Sequence, residues 1–240
     1  SQRGQNHSQF TLTPSSTTTS ISLSERCVRS ARQSGLNAFT PAVSADELSP
    51  FWQLLPGDRP YVTTDNSQRG LAFNPATTNL LVVNRAGGLS VVALDAAAGD
   101  ERHTLNVDGV AGGTFPLSMI GVADDGAVYA ANLFTVVAAT TAPAFKIYRW
   151  ANEKPDAVPT VAFEGDPAGT DASTGTSKNP QRWGDSIDVR GAGANTLIVV
   201  PSRNSSAVAI FTTTDGVNFT STAVNGAAST AGALGVAFGE

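Results

Sequence analysis

Cysteine and histidine are nearly missing from this chain, and each shortage removes a class of chemistry. The single cysteine, Cys27, leaves no internal disulfide and no cysteine-based metal site. With only His7 and His103, a histidine-rich zinc site cannot be assembled, and a Ser-His-Asp triad would have to recruit one of these two. Charge is scarce too: 15% of residues are Asp, Glu, Lys or Arg, against about 25% in an average chain. The formal balance is -5 and no Lys/Arg stripe is present to neutralise phosphates, which argues against a nucleic-acid partner. No apolar run reaches the ~18 residues of a spanning helix, so no membrane segment is expected. The chain carries no G-x-S-x-G elbow, no P-loop and no dinucleotide-binding glycine fingerprint. Gly191 and Gly193 follow a strand pattern but open no helix, so they read as a turn.

What fills the space left by charge is Thr, Ser, Ala, Gly and Asn, a palette suited to β-sheet with polar turns. A hydrophobic fraction of 41% is enough for a buried core. The organising stretch is residues 70–92, which reads as short strands at 70–73, 79–84 and 89–94. Asn74-Pro75 and the Arg85-Ala86-Gly87-Gly88 run supply the turns, because proline fixes φ and glycine tolerates positive φ. A fourth strand at 103–107 closes the unit. The pattern then returns at 120–124, 126–132 and 145–150, and again at 186–189, 195–200 and 207–211. Residues 234–238 start it once more. A four-stranded unit recurring every ~40–65 residues points to the blades of an all-β, four-stranded antiparallel β-propeller. Three units and an opening strand fall short of the ~4 blades that close a ring. An incomplete ring, a truncated chain, or self-association through open sheet edges is therefore expected.

Residues 1–50 differ from residues 51–240. The stretch 11–25 is Ser/Thr-rich and low in complexity, and Arg26, Arg29 and Arg32 cluster beside Cys27. It reads as a flexible segment or, alternatively, as a binding arm or docking strand. The run 51–55 ends in Pro56-Gly57-Asp58 and suits an outer strand supplied from the N-terminal side. Asp125-Gly126 pins the inner hairpin of the second unit. The loop 165–182 is long and polar, and connections of that length are disordered or functional. The turn at 213–219 resembles a shortened Asp-box of sialidase-like propellers, with the acid tying the hairpin and the aromatic packing beneath it.

The segments Asp58–Pro75, Leu80–Asp100, Met119–Leu133, Phe145–Trp150 and Arg182–Thr196 resemble a family of bacterial secreted β-propeller domains of unassigned function. The similarity covers about residues 50–240 and is most specific over Asn84–Gly88 and Arg182–Asp185. It implies a propeller and an extracellular or periplasmic location, and brings no agreed catalytic residues. Calcium-dependent propeller lactonases share the architecture more distantly, as a fold-level similarity.

Aligning the units places Arg69, Ile120, Asp185 and Leu234 at the start of each first strand. Asn84, Asn132 and the Ser202-Arg203 pair then fall at the end of each second strand, so one end of the channel would gather them. Asp185, Asp188, Asn84 and Asn132 are oxygen donors of the kind calcium takes. A cation there could activate water on a lactone or ester, with Arg69 or Arg203 stabilising the oxyanion. Asp188 stands out, because alanine occupies the matching position at Ala72, Ala123 and Ala237. Each residue also has a plain structural reading: Asn84 as a turn former, Asp185 as a tie between blades, His103 as an ordinary surface residue. Two functions remain open from sequence. One is a calcium-dependent hydrolase of lactones or esters with Asp188, Arg69 and Arg203 as its catalytic groups. The other is a non-catalytic extracellular module binding a small molecule, carbohydrate or protein, with Phe134, Trp150 and Trp183 as stacking surfaces.

Overall fold

The computed structural model describes residues 9–11, 14–15, 18–19, 21–24, 50–135, 145–169, 181–225 and 235–239. The basic cluster at Arg26, Arg29 and Arg32, Cys27 beside it, Leu234 and most of the 165–182 loop lie outside the described residues.

Short strands come first: β1 (Gln9–Thr11), β2 (Pro14–Ser15), β3 (Thr18–Thr19), β4 (Ile21–Ser24) and β5 (Gln53–Leu54). β4 pairs with both β1 and β5, and β2 pairs with β3. Three four-stranded antiparallel sheets follow, each wound in simple sequence order. Sheet I is β6 (Gln68–Asn74), β7 (Asn79–Asn84), β8 (Ser90–Asp95) and β9 (Glu101–Thr104). Sheet II is β10 (Phe115–Val122), β11 (Val128–Leu133), β12 (Phe145–Trp150) and β13 (Thr160–Gly165). Sheet III is β14 (Asp188–Arg190), β15 (Leu197–Pro201), β16 (Ala207–Thr213) and β17 (Phe219–Asn225). A single 3-10 turn at Gly193–Asn195 interrupts the β-structure of the described residues. Among those residues no helix is long and apolar enough to cross a membrane, and no sheet closes on itself.

The strand pattern predicted for 79–84 and 145–150 coincides with β7 and β12. Others shift. The first strand of sheet II begins at Phe115 rather than Ile120, because a register irregularity between Phe115 and Met119 lets the chain bulge and continue. The outer strand of sheet I lies at Glu101–Thr104 rather than 103–107. Residues 235–239, expected to open a further unit, form no strand, yet they lie along sheet III. The Val236 N–H donates to Ser186 Oγ at 3.3 Å. The Arg190 guanidinium sits over the Phe238 ring at 4.4 Å.

Side-chain alternation explains how the sheets stack. On β7, Leu81 and Val83 face sheet II, while Leu80 and Val82 face Leu54, Tyr61 and Val62 from the preceding segment. On β11, Val128 and Ala130 face sheet I, while Tyr129 and Ala131 face sheet III. On β12, Tyr148 and Trp150 join the core with sheet I, and Phe145 and Ile147 join the core with sheet III. Strands buried on both faces read as continuous apolar runs, which is why all six residues of β7 and of β11 are buried. Burying a large apolar side chain contributes about 1.5–3 kcal/mol, so these two inter-sheet cores dominate stability.

The first strands of successive sheets approach one another closely. A Cβ at Gly70 would stand 2.6 Å from the Ile120 nitrogen, so glycine permits the backbone contact between β6 and β10. β10 in turn packs against β14, where Gly121 leaves room for Val189.

Candidate functional site

Antiparallel pairing puts the start of each first strand next to the end of the second: Gln68 opposes Asn84 and Phe115 opposes Leu133. The predicted grouping of Arg69, Asn84, Asn132, Asp185 and Arg203 at one end of the sheets rests on this pairing. The hydrogen bonds, however, assign most of these groups to separate tasks.

Asn84, Asn132 and Ser202 are all buried and occupy the same slot. Asn84 Oδ1 accepts from the Ala86 N–H at 2.9 Å, and its amide donates to the Ala86 carbonyl and Ser90 Oγ, each at 3.1 Å. Asn132 Oδ1 accepts from the Lys146 N–H at 2.9 Å. Ser202 Oγ accepts from the Asn204 N–H at 3.4 Å. Each side chain braces the connection from second to third strand, which is the turn-forming reading of Asn84 repeated three times.

The two acids are held apart in function. Asp185 receives a bidentate pair from Arg182, Nε to Oδ2 at 2.6 Å and Nη2 to Oδ1 at 2.5 Å. That hydrogen-bonded carboxylate, more than its charge alone, pushes the Arg182 pKa above the usual arginine value against the opposing effect of burial. Asp188 Oδ1 accepts from its own neighbour, the Val189 N–H, at 2.9 Å. Its other oxygen accepts from the Phe238 N–H at 2.7 Å, tying residues 235–239 to sheet III. Arg203 donates its backbone N–H to the Arg182 carbonyl at 3.0 Å, next to that pair. Between sheets II and III, Phe134 and Trp183 form a two-way backbone bridge. Gly184 follows with φ +95° and with the Asn132 carbonyl 1.9 Å from where a Cβ would stand, so no larger residue fits.

The aromatics expected to stack on a sugar lie in the interior. Trp150 and Trp183 are fully buried, and Phe134 is nearly so. Trp150 spends its indole N–H on the Asn106 carbonyl at 2.6 Å. These aromatics fill the two inter-sheet cores, and alternation alone could not distinguish a core face from a ligand face in a sheet buried on both sides.

Calcium fits the expected ligand set poorly. It takes 6–8 oxygens in one place, whereas Asp185 is already neutralised by a guanidinium and Asp188 is turned to two backbone donors. Among the described residues no three of His, Cys, Asp and Glu come together.

Sequence reasoning passed over Arg85 and Phe115, which shape this end of sheets I and II. The Arg85 guanidinium lies 3.6 Å from the centre of the Phe115 ring. Its Nη2 donates to the Asn66 carbonyl at 2.8 Å, and its backbone N–H to the Ser67 carbonyl at 3.1 Å. Burial first, and then the positive Arg69 beside it, pull the Arg85 pKa below the usual arginine value, with Asp65 opposing. Arg85 Nη1 and Arg69 Nε are both buried without a hydrogen-bond partner among the described residues. A cleft of about 390 Å³ opens here. The signal was present in the sequence: Arg85 follows Asn84 as Arg203 follows Ser202.

A second feature also went unforeseen. Glu153 is buried, and its two carboxylate oxygens accept from the Asn74 and Asn79 side-chain amides. Its backbone carbonyl meets His103 Nε2 at 2.6 Å, so His103 is half-buried between sheets I and II rather than an ordinary surface residue.

No protein-family model matches the chain, and no curated protein matches it either. Among solved structures, a DUF4623 family protein from Bacteroides eggerthii is similar at 20% identity with a TM-score of 0.48. The match covers 67% of this chain and 36% of that one, so the chain spans about a third of its neighbour's length.

Proposed function

We propose that the three sheets are blades of a propeller-type arrangement and that the chain is a non-catalytic binding module. Support for the arrangement comes from the simple up-and-down order of each sheet and the side-by-side packing of β6, β10 and β14. The observation that carries the functional reading is the state of the two inner acids. A hydrolase of lactones or esters needs a carboxylate free to act as base or to hold a metal. Asp188 instead fastens a backbone segment, and Asp185 is bound face to face by Arg182. What these side chains do is hold sheets and connections in place, which is the task of a scaffold.

Calcium calorimetry and pH-stat assays on a lactone panel, with wild type and Asp188→Asn, test this reading. The expected result is no turnover above buffer and no stoichiometric calcium heat that the substitution removes. Turnover that EDTA abolishes and Asp188→Asn eliminates would overturn it in favour of the calcium-dependent hydrolase.

A further inference from the structure

Two arginines at the end of sheets I and II, Arg69 and Arg85, each bury a guanidinium N–H that meets no acceptor among the described residues. Arg69 and Arg85 stand near enough for one to weaken the other's hold on its proton, and neither has a salt-bridge partner among the described residues. A buried N–H without an acceptor is unfavourable unless a ligand supplies one. Asp65, the acid whose charge acts on Arg85, spends its Oδ1 on Thr63 Oγ1 at 2.6 Å and on the Ser67 N–H at 2.9 Å. Two guanidinium charges against one carboxylate leave a local excess of one positive charge, in a chain whose overall balance is -5. The cleft alongside is lined by Arg85, Leu89, Phe115 and Pro116, with Asn66, Ser67 and Gly88 completing its wall. It therefore sets one guanidinium and two small polar residues against an apolar wall. Asn84 fixes the geometry, since it braces the Ala86 backbone immediately after Arg85.

We propose that this cleft binds a ligand bearing one carboxylate on a ring or similar apolar-faced body, with Arg85 as the main contact and Arg69 reinforcing it. A monoanion balances the excess charge, and a carboxylate is a strong acceptor for a guanidinium. Leu89, Phe115 and Pro116 receive the body of the ligand. The inference rests on the reading of the chain as a binding module and names the class of ligand that module takes.

Calorimetric titration of the full chain with benzoate and D-galacturonate, each beside its neutral counterpart benzamide or D-galactose, tests it. At least one carboxylate is expected to bind saturably and its neutral counterpart not, with affinity falling as salt is raised. Arg85→Gln is expected to weaken binding about tenfold or more. Arg69→Gln should weaken it less, and Arg59→Gln should leave it unchanged. Near-UV circular dichroism establishes that each variant is folded, and Arg85→Lys, which keeps charge but loses the fork, should fall between wild type and Arg85→Gln. Absent carboxylate binding, equal binding of acid and neutral counterpart, or full affinity in a folded Arg85→Gln would overturn the inference. So would inorganic phosphate binding more tightly than the carboxylates through the same arginines. None of these outcomes produces lactone turnover, so the binding-module reading stands or falls separately.

Discussion

Asp215 gathers an unusual number of donors for one exposed side chain. Its oxygens accept from the Val217 and Asn218 N–H groups at 2.8 and 2.7 Å, from the Asn218 amide at 2.7 Å and from Thr213 Oγ1 at 3.0 Å. The Asn218 backbone bond, then its side chain, then Val217, hold the carboxyl far below its ordinary value of 3.8. Because the folded pKa is depressed, the stabilisation is complete above the unfolded value and is lost as pH falls through the acid range towards the folded one. Thermal unfolding of wild type and Asp215→Asn across pH 2 to 6 should show the wild type losing its advantage as pH drops, with the two curves converging at the acid end; a constant gap would refute this. The turn was legible in the sequence because acid, glycine and aromatic fall within a few residues, and Phe219 does pack edge-on against Tyr129 at 5.5 Å. Glu153 was not legible, since its partners Asn74 and Asn79 lie 79 and 74 residues away. No local pattern records such a contact.

At the level of elements, the Glu153 cluster joins the turn between β6 and β7 to the turn between β12 and β13. Both of its oxygens face amide N–H donors, so replacing one oxygen by an amide NH2 sets donor against donor. Glu153→Gln should cost about 1–3 kcal/mol by urea denaturation, through a lower midpoint at unchanged slope. A change within ~0.5 kcal/mol, the range of ordinary surface substitutions, would remove the cluster from the structural account. Strand order and identity could be read from alternation and turn residues, because each sheet is built from consecutive hairpins. Exact starts could not: the irregularity before Met119 lies where β6 packs closely against β10 at Gly70, a contact between sheets that no local pattern records. The same limit applies to the site. Asn84, Asn132 and Arg203 were placed in their slots by repeat alignment, but the partners that engage Asp185 and Asp188 are set by loop geometry. Arg85 lay inside a stretch read only as a turn.

Over the whole molecule, each of the three four-stranded sheets forms from consecutive strands, and fewer contacts, chiefly β6 with β10 and β10 with β14, join one sheet to the next. Sheet II contributes to both large cores, whereas sheet I shares its far face with the Trp52–Val62 segment. In sheet III the outer strand β17 leaves Val224 47% exposed. Arrays of this kind behave as nearly one-dimensional systems in which stability is a sum of units and interfaces. A middle unit with two interfaces must break both to open, while an end unit breaks one. Native-state hydrogen exchange should therefore find the slowest amides in β11 and β12 and faster opening in β16 and β17. Uniform protection across the three sheets would mean that they open as one cooperative body. If the gradient holds, a lesion in Trp150 or Tyr129 loosens the whole array, while the outer strands of sheet III can breathe without disturbing the arginine cleft at the opposite interface.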